Sequence, residues 1–302
     1  MKEVESSLAL SDPAQCRDDE AGCLPACAAE RELAFPVAQN ACRVVSNRWV
    51  NAEYRHLIVE ASPTALAARP GQFFHLHCPA AHGAMPFLRR PMSVYRVDRD
   101  HACVEFLYKV QGAGTRGLAM LEPGDTLDAV GPVGRGFDVP DGARHVLLLA
   151  RGVGLATLAP LARFAVTRGA KVTAVLSARD PSLVMSADYL RDAGADVIAV
   201  TDAENTSNVT HVDMLLERIH AETPFDFVTT CGSNRLLMLL QRFANTHGIA
   251  GQIALEQHMG CALGACYACV RPFRKTDTSD ELTYRRVCWD GPVFGLKETV
   301  SW

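Results

Sequence analysis

Residues 145–178 read HVLLLARGVGLATLAPLARFAVTRGAKVTAVLSA. An apolar run of strand length, a stretch with helical spacing from about Thr157, and a second apolar run beginning at Lys171 make one strand-helix-strand unit. The rhythm continues through PSLVMSADYLRDAG (181–194), which reads as a helix, and ADVIAVTD (195–202), a strand. A helix around VDMLLERIH (212–220), the strand FDFVTTCG (225–232) and a helix from about residue 234 follow. Strands that are apolar throughout are buried on both faces, so residues 141–250 are expected to form a parallel sheet covered by helices.

Upstream the pattern changes. The segments ACRVVSNRWV, YRHLIVEA, GQFFHLHCP, MSVYRVD, ACVEFLYKV and TLDAVGPVG, within residues 41–140, are short strands punctuated by Pro and Gly, as in a small antiparallel barrel. Residues 1–40 carry eight acidic against three basic side chains and no sustained period, and read as an acidic, flexible leader. Its Cys16, Cys23 and Cys27 are too few and too openly spaced to define a metal site.

Composition excludes several classes. The 302 residues are 48% hydrophobic and 21% charged, close to globular averages, and the net charge of -4 gives no electrostatic reason to expect nucleic acid. No apolar run reaches the roughly 18 residues of a membrane span, and the acidic start MKEVESSLALSDPAQ is unlike a secretory signal. A cytoplasmic protein is expected. Eleven cysteines, an odd number without an export signal, point to cofactor ligation and buried thiols and away from a disulfide framework.

Four of those cysteines stand together in residues 251–302. EQHMGCALGACYACVRPF (256–273) spaces Cys261, Cys266 and Cys269 as C-x4-C-x2-C, and Cys288 follows in YRRVCWDGPVF. This is the plant-type [2Fe–2S] spacing, with four thiolates for two irons. Ala262, Gly264, Ala265 and Ala268 let a loop fold tightly so that N–H groups point at the sulfurs. A structural zinc site is the alternative, but zinc commonly shows paired C-x2-4-C knuckles and only one C-x2-C is present. A complete plant-type ferredoxin domain needs on the order of 90 residues, so the segment reads as a compact appendage. In the barrel, LRRPMSVY (88–95) and LYKVQGAGTRGL (107–118) place Arg90 and Ser93 on one strand and Gly112, Gly114 and Thr115 at a helix start, a seat for a flavin pyrophosphate.

This order of barrel, α/β domain and terminal cysteines with CWDGPVF resembles the electron transfer subunit of class 1B dihydroorotate dehydrogenase, within the ferredoxin reductase superfamily. The likeness runs over residues 42–296. It implies a β plus α/β architecture: an antiparallel FAD-binding barrel, a parallel-sheet NAD(P)-binding domain and a small C-terminal [2Fe–2S] segment. Arg90, Pro91, Met92 and Ser93 match its first FAD-binding stretch, Leu107, Tyr108 and Lys109 the second, and Gly114 and Thr115 the third. Cys261, Cys266, Cys269 and Cys288 match the cluster ligands. The implied relay runs between an FMN-containing catalytic subunit, in a hetero-oligomer, and NAD(P), through cluster and FAD. A flavin is needed because nicotinamide exchanges two electrons and a cluster one. Related reductase subunits serving other partners, of the ferredoxin:NADP oxidoreductase or sulfide dehydrogenase type, remain an alternative, as does a protein without nucleotide turnover.

Two motifs depart from that pattern. In LLLARGVGLATLAPLA, Gly152 and Gly154 are kept for the nucleotide, but Ala150 and Arg151 stand where glycines are usual, and Ala156 and Thr157 where prolines are. Cys231 and Gly232 begin CGSNRLLM, whose usual prolines are missing. Cys231 is either a reactive group beside the nicotinamide or a buried strand-end thiol. Arg151 either points to solvent or intrudes on the nucleotide. Arg179 is a candidate contact for a 2′-phosphate, with Asp180 one residue late for a ribose hydroxyl. His75 and His77 alternate on a strand without a third metal ligand, and Phe294 either covers the flavin or packs.

Overall fold

A computed structural model describes residues 37–302 apart from 82 and 278. Residues 1–36 of the leader, with its three cysteines, lie outside the described residues, and the last leader residues, 38–40, are already part of the first strand. The first sheet contains β1 (Ala38–Trp49), β2 (Tyr54–Glu60), β3 (Phe73–Leu76), β4 (Arg90–Ser93), β5 (Arg96–Asp98), β6 (Cys103–Lys109) and β7 (Thr126–Val133). Two short helices, α1 (Pro63–Leu66) and α2 (Ala113–Ala119), interrupt them. The order β4-β3-β7-β1-β2-β6-β5 is antiparallel at every pairing. Alternate residues face one core: Cys42 and Val44, Leu57 and Val59, Phe106 and Tyr108, Leu127 and Ala129. The edge strands β4 and β5 are separated by Val94 and Tyr95 alone. Val94 donates its N–H to Gln72 on one side and Tyr95 to Glu105 on the other, at 3.0 and 2.9 Å. One stretch of chain therefore bonds both ends of the sheet and curls it toward a barrel.

The second sheet comprises β8 (His145–Arg151), β9 (Lys171–Ala178), β10 (Asp196–Thr201), β11 (Phe227–Cys231) and β12 (Ala250–Ala254). They alternate with α3 (Gly154–Thr167), α4 (Ala187–Asp192), α5 (Val209–Glu222) and α6 (Asn234–His247), in the order β10-β9-β8-β11-β12. The unbroken run of β8 divides at every second residue. Leu147 and Leu149 enter the core with Leu236, Leu240 and Phe243 of α6, while Val146, Leu148 and Ala150 enter the core with Leu158 and Leu161 of α3. The stretch 181–194 is not one helix. Asp180 caps a single 3-10 turn at Pro181–Leu183, and Ser186 takes a left-handed φ of 59° before α4 starts.

The C-terminal residues form a hairpin of β13 (Val270–Arg274) and β14 (Leu282–Arg286), then α7 (Val287–Asp290) and β15 (Val293–Gly295). β15 returns to the parallel sheet and pairs antiparallel with β12, Ala254 opposite Val293 and Gln252 opposite Gly295. Phe294 is buried and stacks 4.2 Å from Phe273, so it packs between the cluster segment and the sheet. Among the described residues no helix is long and apolar enough to cross a membrane.

His75 and His77 do not act together, because β3 ends at Leu76: His75 is buried and His77 exposed. Burial, helped by the Arg89 guanidinium, pushes the His75 pKa down to about 4, and burial also lowers His145 and His220. A histidine whose folded pKa lies below its unfolded value takes up its proton more readily when unfolded. Its contribution is intact above the unfolded pKa of about 6.5 and is lost as pH falls toward the folded value. Urea melts at pH 7.5 and 5.5 should show a loss to which His75 contributes roughly 1 kcal/mol, and His75→Leu should reduce that loss.

Candidate functional site

A cavity of about 480 Å³ lies between the two sheets. The strand β4 sits at a sheet edge, paired with β3 from Ser93 opposite Phe73 to Arg90 opposite Leu76, and contributes Arg90, Pro91, Met92 and Ser93 to the wall. The end of β6 adds Leu107, Tyr108 and Lys109, and the start of α2 adds Gly112 and Thr115. From the parallel sheet come Val153, Ala156, Thr157 and Cys231, and Leu255–Met259 close the far side. The fold thus gathers nine sequence-selected barrel residues and Cys231 around one space.

Their side chains play different parts. Arg90 donates through Nη1 to the carbonyls of Leu88 and Arg89 at 2.6 and 3.2 Å. Gly114 stands behind it, since a Cβ there would come 2.9 Å from Arg90 Nε. Thr115 Oγ1 accepts the N–H groups of Gln111 and Gly112 at 3.0 and 3.1 Å and so shapes the turn into α2. The Tyr108 hydroxyl points away from solvent and donates to Asn47 Oδ1 at 3.0 Å, burial pushing its pKa up to about 12. Lys109 pairs with Glu53 at 2.9 Å, and the same carboxylate also binds Arg179. Hydrogen bonds from both cations hold Glu53 below the usual carboxylate range.

A second cavity of about 230 Å³ opens at the C-terminal ends of β8, β9 and β11, lined by Arg151, Gly152, Arg179 and Gly232 among others. This is where open α/β sheets take ligands. Arg151 neither points freely to solvent nor lies loose in the site: it donates to Ser177 Oγ at 2.7 Å and to both Asp202 carboxylate oxygens at 3.2 and 2.6 Å. Gly154 lines neither cavity but marks the crossing of α3 over β11. A Cβ on it would fall 2.5 Å from the Cys231 carbonyl oxygen, and one on Gly232, at φ +97°, 2.4 Å from that of Arg151. Asp180 accepts from the Ser182 N–H at 2.9 Å.

Glu256 borders both cavities. It is an exposed residue, yet the protein gathered around its carboxyl desolvates the charged form enough to push its pKa up. Cys231 is buried, and burial followed by the nearby Glu256 charge raises it, so it is a neutral thiol. Thr157 joins the two sheets, its hydroxyl donating to Ser93 Oγ at 2.7 Å.

The four C-terminal cysteines gather as two pairs, Cys261 with Cys266 and Cys269 with Cys288. Positive φ values at Ala262, Gly264 and Tyr267 (59°, 75° and 57°) wind the loop so that backbone donors face sulfur. Leu263 and Cys266 donate N–H to Cys261 Sγ at 3.3 and 3.4 Å, and Cys288 N–H lies 3.3 Å from Cys269 Sγ. Burial alone would raise Cys261, but these donors outweigh it and hold the thiol at about 7. The Cys288 side chain and the backbone donors bring Cys269 to about 6. Among the described residues no three ligand-type side chains close on one ion. Two separate pairs fit two irons better than a single zinc, which needs four donors at one point.

Sequence reasoning passed over Glu53, Glu256, Asp202 and the contact made by Thr157. Glu256 stood beside the cysteine motif in LEQHMG, a signal that proximity alone supplied.

The curled antiparallel sheet, parallel α/β sheet and terminal cysteine segment define a ferredoxin-reductase-like fold. A solved NADH-dependent reduced ferredoxin-NADP oxidoreductase is similar with a TM-score of 0.70 at 24% identity, over 86% of this chain and 90% of that one. The ferredoxin reductase of a carbazole 1,9a-dioxygenase gives 0.58 at 18%, over 72% and 68%. Residues 256–300 match the iron-sulfur cluster binding domain of dihydroorotate dehydrogenase B. The chain is 34% identical over 233 residues to the dihydroorotate dehydrogenase B (NAD(+)) electron transfer subunit of Geobacillus sp. (strain WCH70), covering 76% of this chain and 86% of the relative. It is 33% identical over 261 residues to that of Bacillus caldolyticus, covering 85% and 96%. This chain belongs to the family of dihydroorotate dehydrogenase B electron transfer subunits.

The two glycines behind the site respond differently to substitution. Gly154→Ala meets backbone at 2.5 Å and should cost about 1–3 kcal/mol in urea melts. Gly114→Ala meets only the flexible Arg90 side chain and should stay within about 1 kcal/mol of wild type; equal losses would contradict the contacts described.

Proposed function

We propose that this chain is an electron-transfer reductase subunit that relays electrons between a dihydroorotate-oxidising, FMN-containing partner subunit and NAD(P), in a hetero-oligomer. The observation that carries the reading is continuity. Leu255–Met259, which wall the main cavity, run directly into the loop of Cys261, Cys266 and Cys269. Arg90 and Thr115 would hold FAD in that cavity, Cys261 with Cys266 and Cys269 with Cys288 would each hold one iron of a [2Fe–2S] cluster, and Gly152, Gly154 and Gly232 would admit the dinucleotide. When bound, the flavin supplies exchange between hydride transfer and one-electron transfer.

The chain's own residues do the rest. Among the described residues Arg90 is paired with carbonyls and no carboxylate, so its positive charge is uncompensated and suits a pyrophosphate. Met92 and Leu107 give the cavity apolar surface, which excludes water from a ring system bound there. Cys231, neutral and buried, lines the first cavity beside Gly232 of the second, and would limit how closely a nicotinamide approaches. Arg151 is neutralised by Asp202, which leaves Arg179 as the cation to meet a ribose or 2′-phosphate after release from Glu53.

An anaerobic visible spectrum of the purified protein, before and after NADH, NADPH and dithionite, tests the relay. Bleaching of flavin and cluster bands by a nicotinamide is expected, and dithionite-only bleaching would remove the nucleotide step. Cys266→Ser should lose the cluster bands and keep flavin. Arg90→Ala should weaken FAD binding about tenfold, the scale of one charged hydrogen bond.

A further inference from the structure

Thr157 stands where the family usually has proline, yet it is buried and its hydroxyl donates to Ser93 Oγ at 2.7 Å. Ser93 belongs to β4 of the curled sheet, Thr157 to the first turns of α3, and Cys231 to the end of β11. All three line the main cavity.

A hydroxyl has one proton to give and lone pairs to receive. The two hydroxyls therefore order in one direction: the Thr157 proton goes to Ser93 Oγ, and the Ser93 proton is left for the cavity. Without the Thr157 hydroxyl, the Ser93 rotor has no partner to fix it, and its proton is as free to turn to a backbone carbonyl as to the cavity.

We propose that Thr157 is a positioning residue that fixes Ser93 as a hydrogen-bond donor toward an acceptor atom on the edge of the flavin ring. The inference rests on the FAD reading of the cavity and adds a residue to it. No proton or electron is transferred in forming this chain; what changes is the direction in which the Ser93 proton is presented.

The test uses full-length, flavin-loaded protein and two variants, Thr157→Val, which removes the hydroxyl at nearly unchanged volume, and Thr157→Ser, which keeps the hydroxyl and removes the methyl. The readouts are the FAD dissociation constant, the shape of the flavin absorption band and the flavin midpoint potential. Expected for valine are a three- to tenfold weaker FAD affinity, a shifted band and a more negative potential because a donor to the reduced ring is lost. Serine should restore all three. Valine indistinguishable from wild type, or serine failing in the same way as valine, would overturn the inference, the second result showing that the hydroxyl does not carry the effect. Wild-type protein unable to bind FAD would bring down the cavity reading as well, an outcome separate from a flavin-loaded protein indifferent to valine.

Discussion

The clasp between β12 and β15 is the interaction on which the rest of the arrangement depends. The chain leaves the parallel sheet at Ala254 and comes back opposite it at Val293, locked by Leu255 N–H to Pro292 O at 2.9 Å and Leu296 N–H to Gly251 O at 2.8 Å. Everything between is a closed loop: the far wall of the cavity, the four cysteines and the β13-β14 hairpin. The Arg135 N–H, beyond β7 of the curled sheet, binds Gly291 O beside the same clasp. A few backbone bonds thus fix the cysteine loop against both sheets. An electron relay needs such fixed separations, and a loop held only at one end would lose them to its own conformational entropy.

Charge around the cavities is organised by commitment. Arg151 is committed to Asp202, Lys109 and Arg179 share Glu53, and Arg89 binds Asp128. Partly exposed pairs of this kind add little stability. Their consequence is orientation: guanidinium and ammonium groups that would otherwise lean into the nearest anion are held along the rims. Arg90 is the contrast, anchored by carbonyls that position the group without cancelling its charge. The Arg179–Glu53–Lys109 bridge also links the end of β9 to the β1-β2 turn and to the end of β6, so the mouth of the second cavity is crossed by side chains from both sheets.

What could be read from the sequence was what is local or periodic. HVLLLA signalled a doubly covered strand because two cores each take alternate residues of it, and the cysteine spacing carried its meaning within a single loop. The antiparallel return of β15 was not legible, because three residues after a helix carry no pattern of their own. Nor was the break at Ser186, where one left-handed residue divides a stretch with helical composition. The site failed to show for the same reason in a longer-range form. Thr157 meets a partner 64 positions away and Arg179 one 126 positions away, and neither distance leaves a trace in the intervening residues.

The departures from the family pattern sort by backbone geometry. Gly152, at φ +54°, and Gly232, at φ +97°, occupy conformations that side chains resist, and Gly154 lies where a Cβ would meet a carbonyl at 2.5 Å; all three are glycine here. Ala150 and Arg151, by contrast, are strand residues of β8 in register with Leu176 and Ser177, and Ser233 is extended at φ -161°, positions any residue can adopt. Replacing glycine there costs the backbone nothing and adds a side chain that must be accommodated. Ala150 fills the core shared with α3, and Arg151 is drawn aside by a carboxylate on the loop after β10. The substituted motif therefore keeps the close approach of α3 to β11 that a nucleotide turn requires, and the altered chemistry is confined to what Arg151 and Thr157 present at the cavity walls.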